Sequence, residues 1–223
     1  MIGKLIIRRK PPPVEQRKNI IIYFISVTLL GFILGIVSKY SDTIPSNHGL
    51  YGAVLHCISY ITTELGIWIF LATVIAMYSY NHISAMINTT SFFLAMLTGY
   101  YLFSRYVCGF YSINVIIYWV TVAFISSLGA FIVWFGKGSG WLSNIFAAMP
   151  IGVLFALGYN FFNTIFTVQC ITRLLNIIFA FLLLILFSKG NGRNKGYVLF
   201  VIALILCFIL SKFHIIGLLY GGF

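Results

Sequence analysis

Apolar runs of membrane-crossing length recur along this chain, and they constrain its fold more than any other feature. They occupy residues 19–38, 65–80, 83–104, 113–135, 141–159, 164–188 and 196–211. A helix needs roughly 20 such residues to cross a hydrocarbon core of about 30 Å. Water is absent there, so backbone groups must bond within the segment or within a closed barrel. The runs are continuous rather than alternating, which selects helices. Only 8% of the residues are charged, against about 25% in an average soluble domain, so too little polar surface exists to face water all round. The expected fold is all-α, a polytopic transmembrane helix bundle of six to seven spans, most simply seven. Residues 50–63 carry Tyr51, His56 and Tyr60 among apolar neighbours. They are too short to span in addition to the run that follows, and read as one interfacial or re-entrant helix.

The formal net charge of +11 would suggest nucleic acid for a soluble protein. In a membrane protein it reports topology, because Lys and Arg collect in loops that stay in the cytoplasm. Residues 1–18 hold Lys4, Arg8, Arg9, Lys10, Arg17 and Lys18 against Glu15 alone, and Pro11-Pro12-Pro13 interrupts any helix there. This segment reads as a basic cytoplasmic tail, able to rest on anionic lipid, and residues 19–223 as a single transmembrane helical domain. The run after the tail lacks a small-x-small cleavage site, so it reads as a retained first span. With the N-terminus inside, ten basic residues fall on the inner side and three on the outer. That asymmetry predicts a cytoplasmic N-terminus and an outer C-terminus. The turn at Asn81-His82 contributes no Lys or Arg to it.

One charge lies deep in an apolar run. Residues 161–189 read FFNTIFTVQCITRLLNIIFAFLLLILFSK, with Arg173 inside, Gln169 one turn before it and Asn176 three residues after it. If the span starts near Thr164, Arg173 lies about 14 Å in, too deep to snorkel outward. An intramembrane charge is expensive unless paired or hydrated, and marks a functional site by default. The acidic residues are Glu15, Asp42 and Glu64. Glu64 falls at the outer end of its span, and pairing it with Arg173 requires tilt or a shallow water-filled vestibule. Arg173, Gln169, Asn176, Glu64 and Asn163 are therefore the expected ligand-binding residues, lining an outward-facing polar cavity with Asn160 above. The competing reading is a structural arginine bonded to carbonyls and Glu64.

Enzyme signatures are absent: there is no HExxH, GxSxG, Walker A motif or pair of intramembrane aspartates. Only Glu64 and Asp42 are placed for base chemistry, so no catalytic residue, cofactor or metal site is expected. The histidines are scattered, and Cys57, Cys108, Cys170 and Cys207 lack CxxC spacing and read as small packing residues. Trp68, Trp119, Trp134 and Trp141 fall mostly near span ends, as interfacial belts do. Gly31 and Gly35, with Ser38, form a small-residue seam in the first span. Such a seam lets helices approach closely, within the protein or against a partner subunit or second copy.

Several stretches resemble a family of small, uncharacterised polytopic membrane proteins of Gram-positive bacteria. They are GFILGIVSKYSDTIPS (residues 31–46), ELGIWIFLATVIAMYS (64–79), FFLAMLTGYYLFS (92–104) and SSLGAFIVWFGKGSGWLS (126–143). The resemblance covers roughly residues 30–145. Family members tend to carry a basic turn where this chain has Tyr80-Asn81-His82-Ile83. It implies a multi-pass protein of the bacterial cytoplasmic membrane and brings no assigned activity. The expected function is a transport or ligand-capture component, in contact with membrane lipids and taking a small-molecule or lipid ligand, not nucleic acid. The alternatives are a non-catalytic accessory subunit of a larger complex and, behind it, a lipid-handling membrane enzyme.

Overall fold

The computed structural model describes residues 17–44, 49–109, 113–159, 169–189 and 193–212. The described chain is helical throughout: α1 Arg17–Thr43, α2 Gly49–Thr63, α3 Leu65–Tyr78, α4 His82–Phe103, α5 Ile113–Gly136, α6 Trp141–Gly158, α7 Gln169–Ser188 and α8 Arg193–Lys212. A single π-helical turn, Ser104–Cys108, follows α4 and ends at Gly109, whose φ of 76° suits only glycine well. Among the described residues, five helices are long and apolar enough to cross a membrane: the segments Asn19–Thr43, Ile116–Gly136, Trp141–Gly158, Cys170–Ser188 and Asn194–Lys212. Helices α2 and α3, bent by 67° where they meet, make a sixth if counted together. The polar run Asn88-Thr89-Thr90-Ser91 lies in α4, which is not among them.

The surface is apolar to an extent unlike that of a soluble protein. Ile21, Ile22, Ile25, Leu29, Phe124, Leu128, Ile185 and Phe208 are exposed, whereas Ser41, Ser79, Asn88, Thr89, Ser143, Thr172 and Asn176 are buried. The Thr89 hydroxyl excepted, these buried polar groups bond within the chain, and an apolar surface around such groups is what a hydrocarbon solvent selects.

The contacts cluster into two units. In one, comprising the described parts of Lys10–Thr63 and Ile75–Trp134, α1 packs along α4. The expected glycine seam is used here, inside the chain. A Cβ on Gly31 would lie 2.2 Å from the Phe92 carbonyl oxygen, and one on Gly35 2.0 Å from that of Met96. Gly99 of α4 returns the contact against Phe32 of α1. Backbones this close leave no room for a side chain, and the gain is dispersion between tightly apposed helices.

Helix α1 runs on through Lys39–Thr43, past the end of the first apolar run. Its polar side chains are satisfied without leaving the helix. Ser41 Oγ donates to the Ser38 carbonyl (2.8 Å) and Thr43 Oγ1 to that of Tyr40 (2.7 Å). The Lys39 ammonium lies 5.2 Å from the centre of the Tyr100 ring, a cation–π distance. Asp42 accepts a bond from Ser59 Oγ (2.5 Å), and the Tyr40 and Tyr51 hydroxyls bond at 2.6 Å, tying α2 to α1.

The tight turn between α3 and α4 has no basic residue, and a polar cluster holds it instead. Ser79 Oγ donates to the Ile75 carbonyl (2.8 Å), which also accepts from the Tyr23 hydroxyl (3.1 Å). Asn88 Nδ2 donates to Ser79 Oγ (2.9 Å), and Trp134 Nε1 to the Ser79 carbonyl (3.0 Å). Asn81 caps α4, its side-chain oxygen accepting from the Ser84 N–H (2.6 Å). Trp134 is 4% exposed, and Trp68, in the other unit, 3%; Trp141 is exposed.

The other unit comprises Glu64–Val74 and the described parts of Phe135–Phe223, with α6 packed against both α7 and α8. Its core runs through Ala147, Ala148, Ile151 and Leu154 of α6, Ala180, Leu183 and Phe187 of α7, and Leu199 and Ala203 of α8, all fully buried. Helix α6 continues through the buried Pro150 without interruption.

The seam predicts a contrast between glycines. Gly31→Ala should lower stability by about 1–3 kcal/mol, because its Cβ meets backbone. Gly129→Ala, whose Cβ meets nothing within 4 Å, should be neutral or stabilising by up to ~1 kcal/mol. Thermal unfolding of the two variants in detergent checks this, and equal behaviour would contradict the close approach.

Candidate functional site

Helix α7 carries a polar stripe on an otherwise apolar rod. Thr172, Arg173 and Asn176 follow at i, i+1 and i+4 and fall on one face, and the backbone of Gln169 lies one turn before Arg173. Thr172 and Asn176 are each 2% exposed, and the same buried line continues through Ala180, Leu183 and Phe187. The opposite side, Ile171, Leu174, Ile178, Leu182 and Ile185, is exposed and apolar. The polar face therefore turns into the unit.

Glu64 meets this stripe. It is the one residue between α2 and α3, outside either helix. Thr172 Oγ1 donates to Glu64 Oε1 at 2.8 Å, and Asn176 Nδ2 donates to Oε2 at 3.4 Å. Gly66 makes the approach feasible: a Cβ there would lie 1.8 Å from Asn176 Oδ1. One turn further along, Phe70 of α3 stacks on Phe179 of α7, with ring centres 4.5 Å apart. Neutral donors thus engage both carboxylate oxygens, and two of about four lone-pair positions are used.

Arg173 sits between these two donors in sequence, half-buried. Its Nε is shielded from solvent and has no hydrogen-bond partner. A buried unsatisfied donor costs about 1–3 kcal/mol, and more when charged. Of the five residues expected at the site, the structure brings Glu64 and Asn176 into contact and sets Arg173 on the same helix face. Gln169 begins the described part of α7, placing its backbone one turn before Arg173. Asn163, with Asn160, lies outside the described residues.

The sequence reading missed Thr172, although its spacing from Gln169 and Asn176 already placed it on the stripe. Nor did it single out Lys195. Lys195 lies in the first turn of α8 and is 8% exposed. Its Nζ donates to the carbonyls of Gly136 (3.0 Å) and Gly138 (2.8 Å) and lies 3.5 Å from Ser143 Oγ. Helix α5 ends at Gly136, where carbonyls lack partners and the helix dipole is negative. The ammonium answers both needs. The Ser143 hydroxyl lies within bonding distance of the same two carbonyls, 2.9 and 2.8 Å, but its single proton serves only one at a time. A lysine in a glycine-rich stretch carries no signal for this role, because its acceptors are backbone atoms brought in by the fold.

Elsewhere, an open groove of about 600 Å³ lies along α1 and α4, lined by Phe24, Leu29, Phe32 and Leu94 with Thr28 and Thr98. Both threonine hydroxyls bond to carbonyls of their own helix, at 2.8 Å each, so the groove is effectively apolar. Among the described residues no cluster of three or more His, Cys, Asp or Glu side chains forms a metal site, and the four cysteines are free thiols.

Apolar helices of membrane-crossing length with large apolar side chains on their outer faces make this a multi-pass α-helical membrane protein. Family models, curated proteins and solved structures offer no match to the chain.

Lys195→Met keeps an unbranched apolar side chain, one atom shorter, and removes the donors. It should cost about 1.5–3 kcal/mol, the range for a hydrogen bond to a charged group. Chemical unfolding in mixed micelles checks the value. A loss below about 0.5 kcal/mol would show that the α5–α6 turn holds without the ammonium.

Proposed function

We propose that this protein is a transport or ligand-capture component of the bacterial cytoplasmic membrane, with its N-terminus in the cytoplasm. Seven spans result when α3 and α4 each cross, α2 then lying at or dipping into the outer face. The site is Thr172, Arg173 and Asn176 with Glu64, and Gln169 begins the same helix one turn before Arg173. One observation carries the reading: the Arg173 Nε is buried without a partner while the neighbouring carboxylate is bonded to neutral donors. A charge held this way in a low-dielectric surrounding is expensive, and an arriving anionic group removes the cost. No ATP-binding motif is present, so uphill movement of a solute would need a partner or an ion gradient.

A second reading is favoured by the same carboxylate. Thr172 and Asn176 already bond α7 to Glu64 at the start of α3, which suits an accessory subunit whose polar residues hold its helices together.

Water access separates the two. Single cysteines at positions 169, 173 and 176, in a background lacking the native thiols, should react with an impermeant reagent applied from outside. Cysteines at Leu174 and Ile178, on the exposed apolar face, should not. Absence of labelling at all three stripe positions in folded protein would favour the accessory reading.

A further inference from the structure

The arrangement of charge at this site specifies more than an anion. A lone arginine would answer any anion, and an arginine paired with a carboxylate would answer none well, because the ligand would have to break the pair. Here the two charges are kept from cancelling. Thr172 and Asn176 engage the Glu64 carboxylate from the face of α7 that also bears Arg173. The Asn176 contact is long, at 3.4 Å, and about half the acceptor capacity of the carboxylate is unused. On the other side of the balance, the unpartnered atom of Arg173 is Nε. Together with one terminal nitrogen, Nε presents two parallel N–H donors, the spacing that matches two oxygens of a carboxylate or phosphate.

We infer that the site takes a zwitterion, a ligand bearing both an anionic oxygen group, held by Arg173, and an ammonium, held by Glu64. This rests on the ligand-capture reading above and gives its substrate class. A ligand with both charges leaves the site neutral. An anion alone would leave the Glu64 charge facing it, and an amine alone would face Arg173. In a low-dielectric interior such like-charge terms are large, so each half-ligand should bind far more weakly than the whole. Free amino acids and the headgroups of aminophospholipids share this chemistry.

The test is thermal stabilisation of the purified full-length protein in nanodiscs of phosphatidylcholine and phosphatidylglycerol. Free amino acids from glycine to lysine would be compared with acetate, propionate, methylamine and ethylamine at equal concentration. A separate arm replaces part of the lipid with phosphatidylethanolamine or phosphatidylserine. The expected result is stabilisation by at least one amino acid, or by an aminophospholipid, and none by the single-charge compounds. The first outcome identifies a free solute and the second a headgroup. Glu64→Gln and Arg173→Gln should each weaken binding roughly ten- to hundredfold, the loss of one charge-assisted hydrogen bond. Stabilisation by acetate or propionate that survives Glu64→Gln and is lost in Arg173→Gln would overturn the zwitterion while leaving Arg173 as an anion site. Silence from every compound and every lipid would overturn both, and this outcome needs only the native sequence, so it holds even if a variant fails to fold.

Discussion

A hydrogen bond that water cannot supply must come from the chain itself, and most of this structure follows from that constraint. Several buried polar side chains draw other elements to them. Ser79 draws in Asn88 and Trp134. Ser143 and Lys195 converge on the carbonyls at the end of α5. Thr172 and Asn176 draw in Glu64. In water these residues could remain solvated at little cost. In hydrocarbon an unpaired donor or acceptor costs several kcal/mol, roughly the scale of a small protein's whole stability margin. The bonds therefore select which helix faces meet.

The apolar side chains play the complementary part. They do not drive helices together within the membrane, since lipid is as apolar as leucine, so close contact depends on small residues. Gly31, Gly35 and Gly99 let α1 and α4 touch backbone to backbone, and Gly66 lets Asn176 reach the base of α3. Glycine weakens a helix by roughly 1 kcal/mol in water. Its frequency in these helices makes sense only against this gain in proximity.

Two cations inside the apolar segments show how differently the same kind of charge can be used. Lys195 has three N–H donors and three oxygens within 3.5 Å, so its charge is fully answered by backbone and hydroxyl groups. It is a clasp, and nothing about it invites a ligand. Arg173 has a donor left over. Charge alone does not distinguish them; the completeness of the hydrogen bonding does.

The all-helical, membrane-spanning character was legible in the chain alone, because run length and the absence of charge are local properties that bilayer thickness converts directly into helices. Glu64, Arg173, Gln169 and Asn176 stood out for the same reason, each a polar residue in or at the edge of a run that excludes them. The pairings were not legible. Asn176 is 112 positions from Glu64, and whether the carboxylate meets the arginine or its neighbours depends on a rotation of α7 of about 100° per residue. Nor could the sequence place Lys195, whose acceptors are backbone carbonyls that every residue has. It showed Gly31 and Gly35 as a seam, but only the tertiary structure chose α4 to fill it. Run length and charge are written residue by residue. Which face meets which is decided when separate helices compete for the same few close contacts and for the same unpaired polar groups.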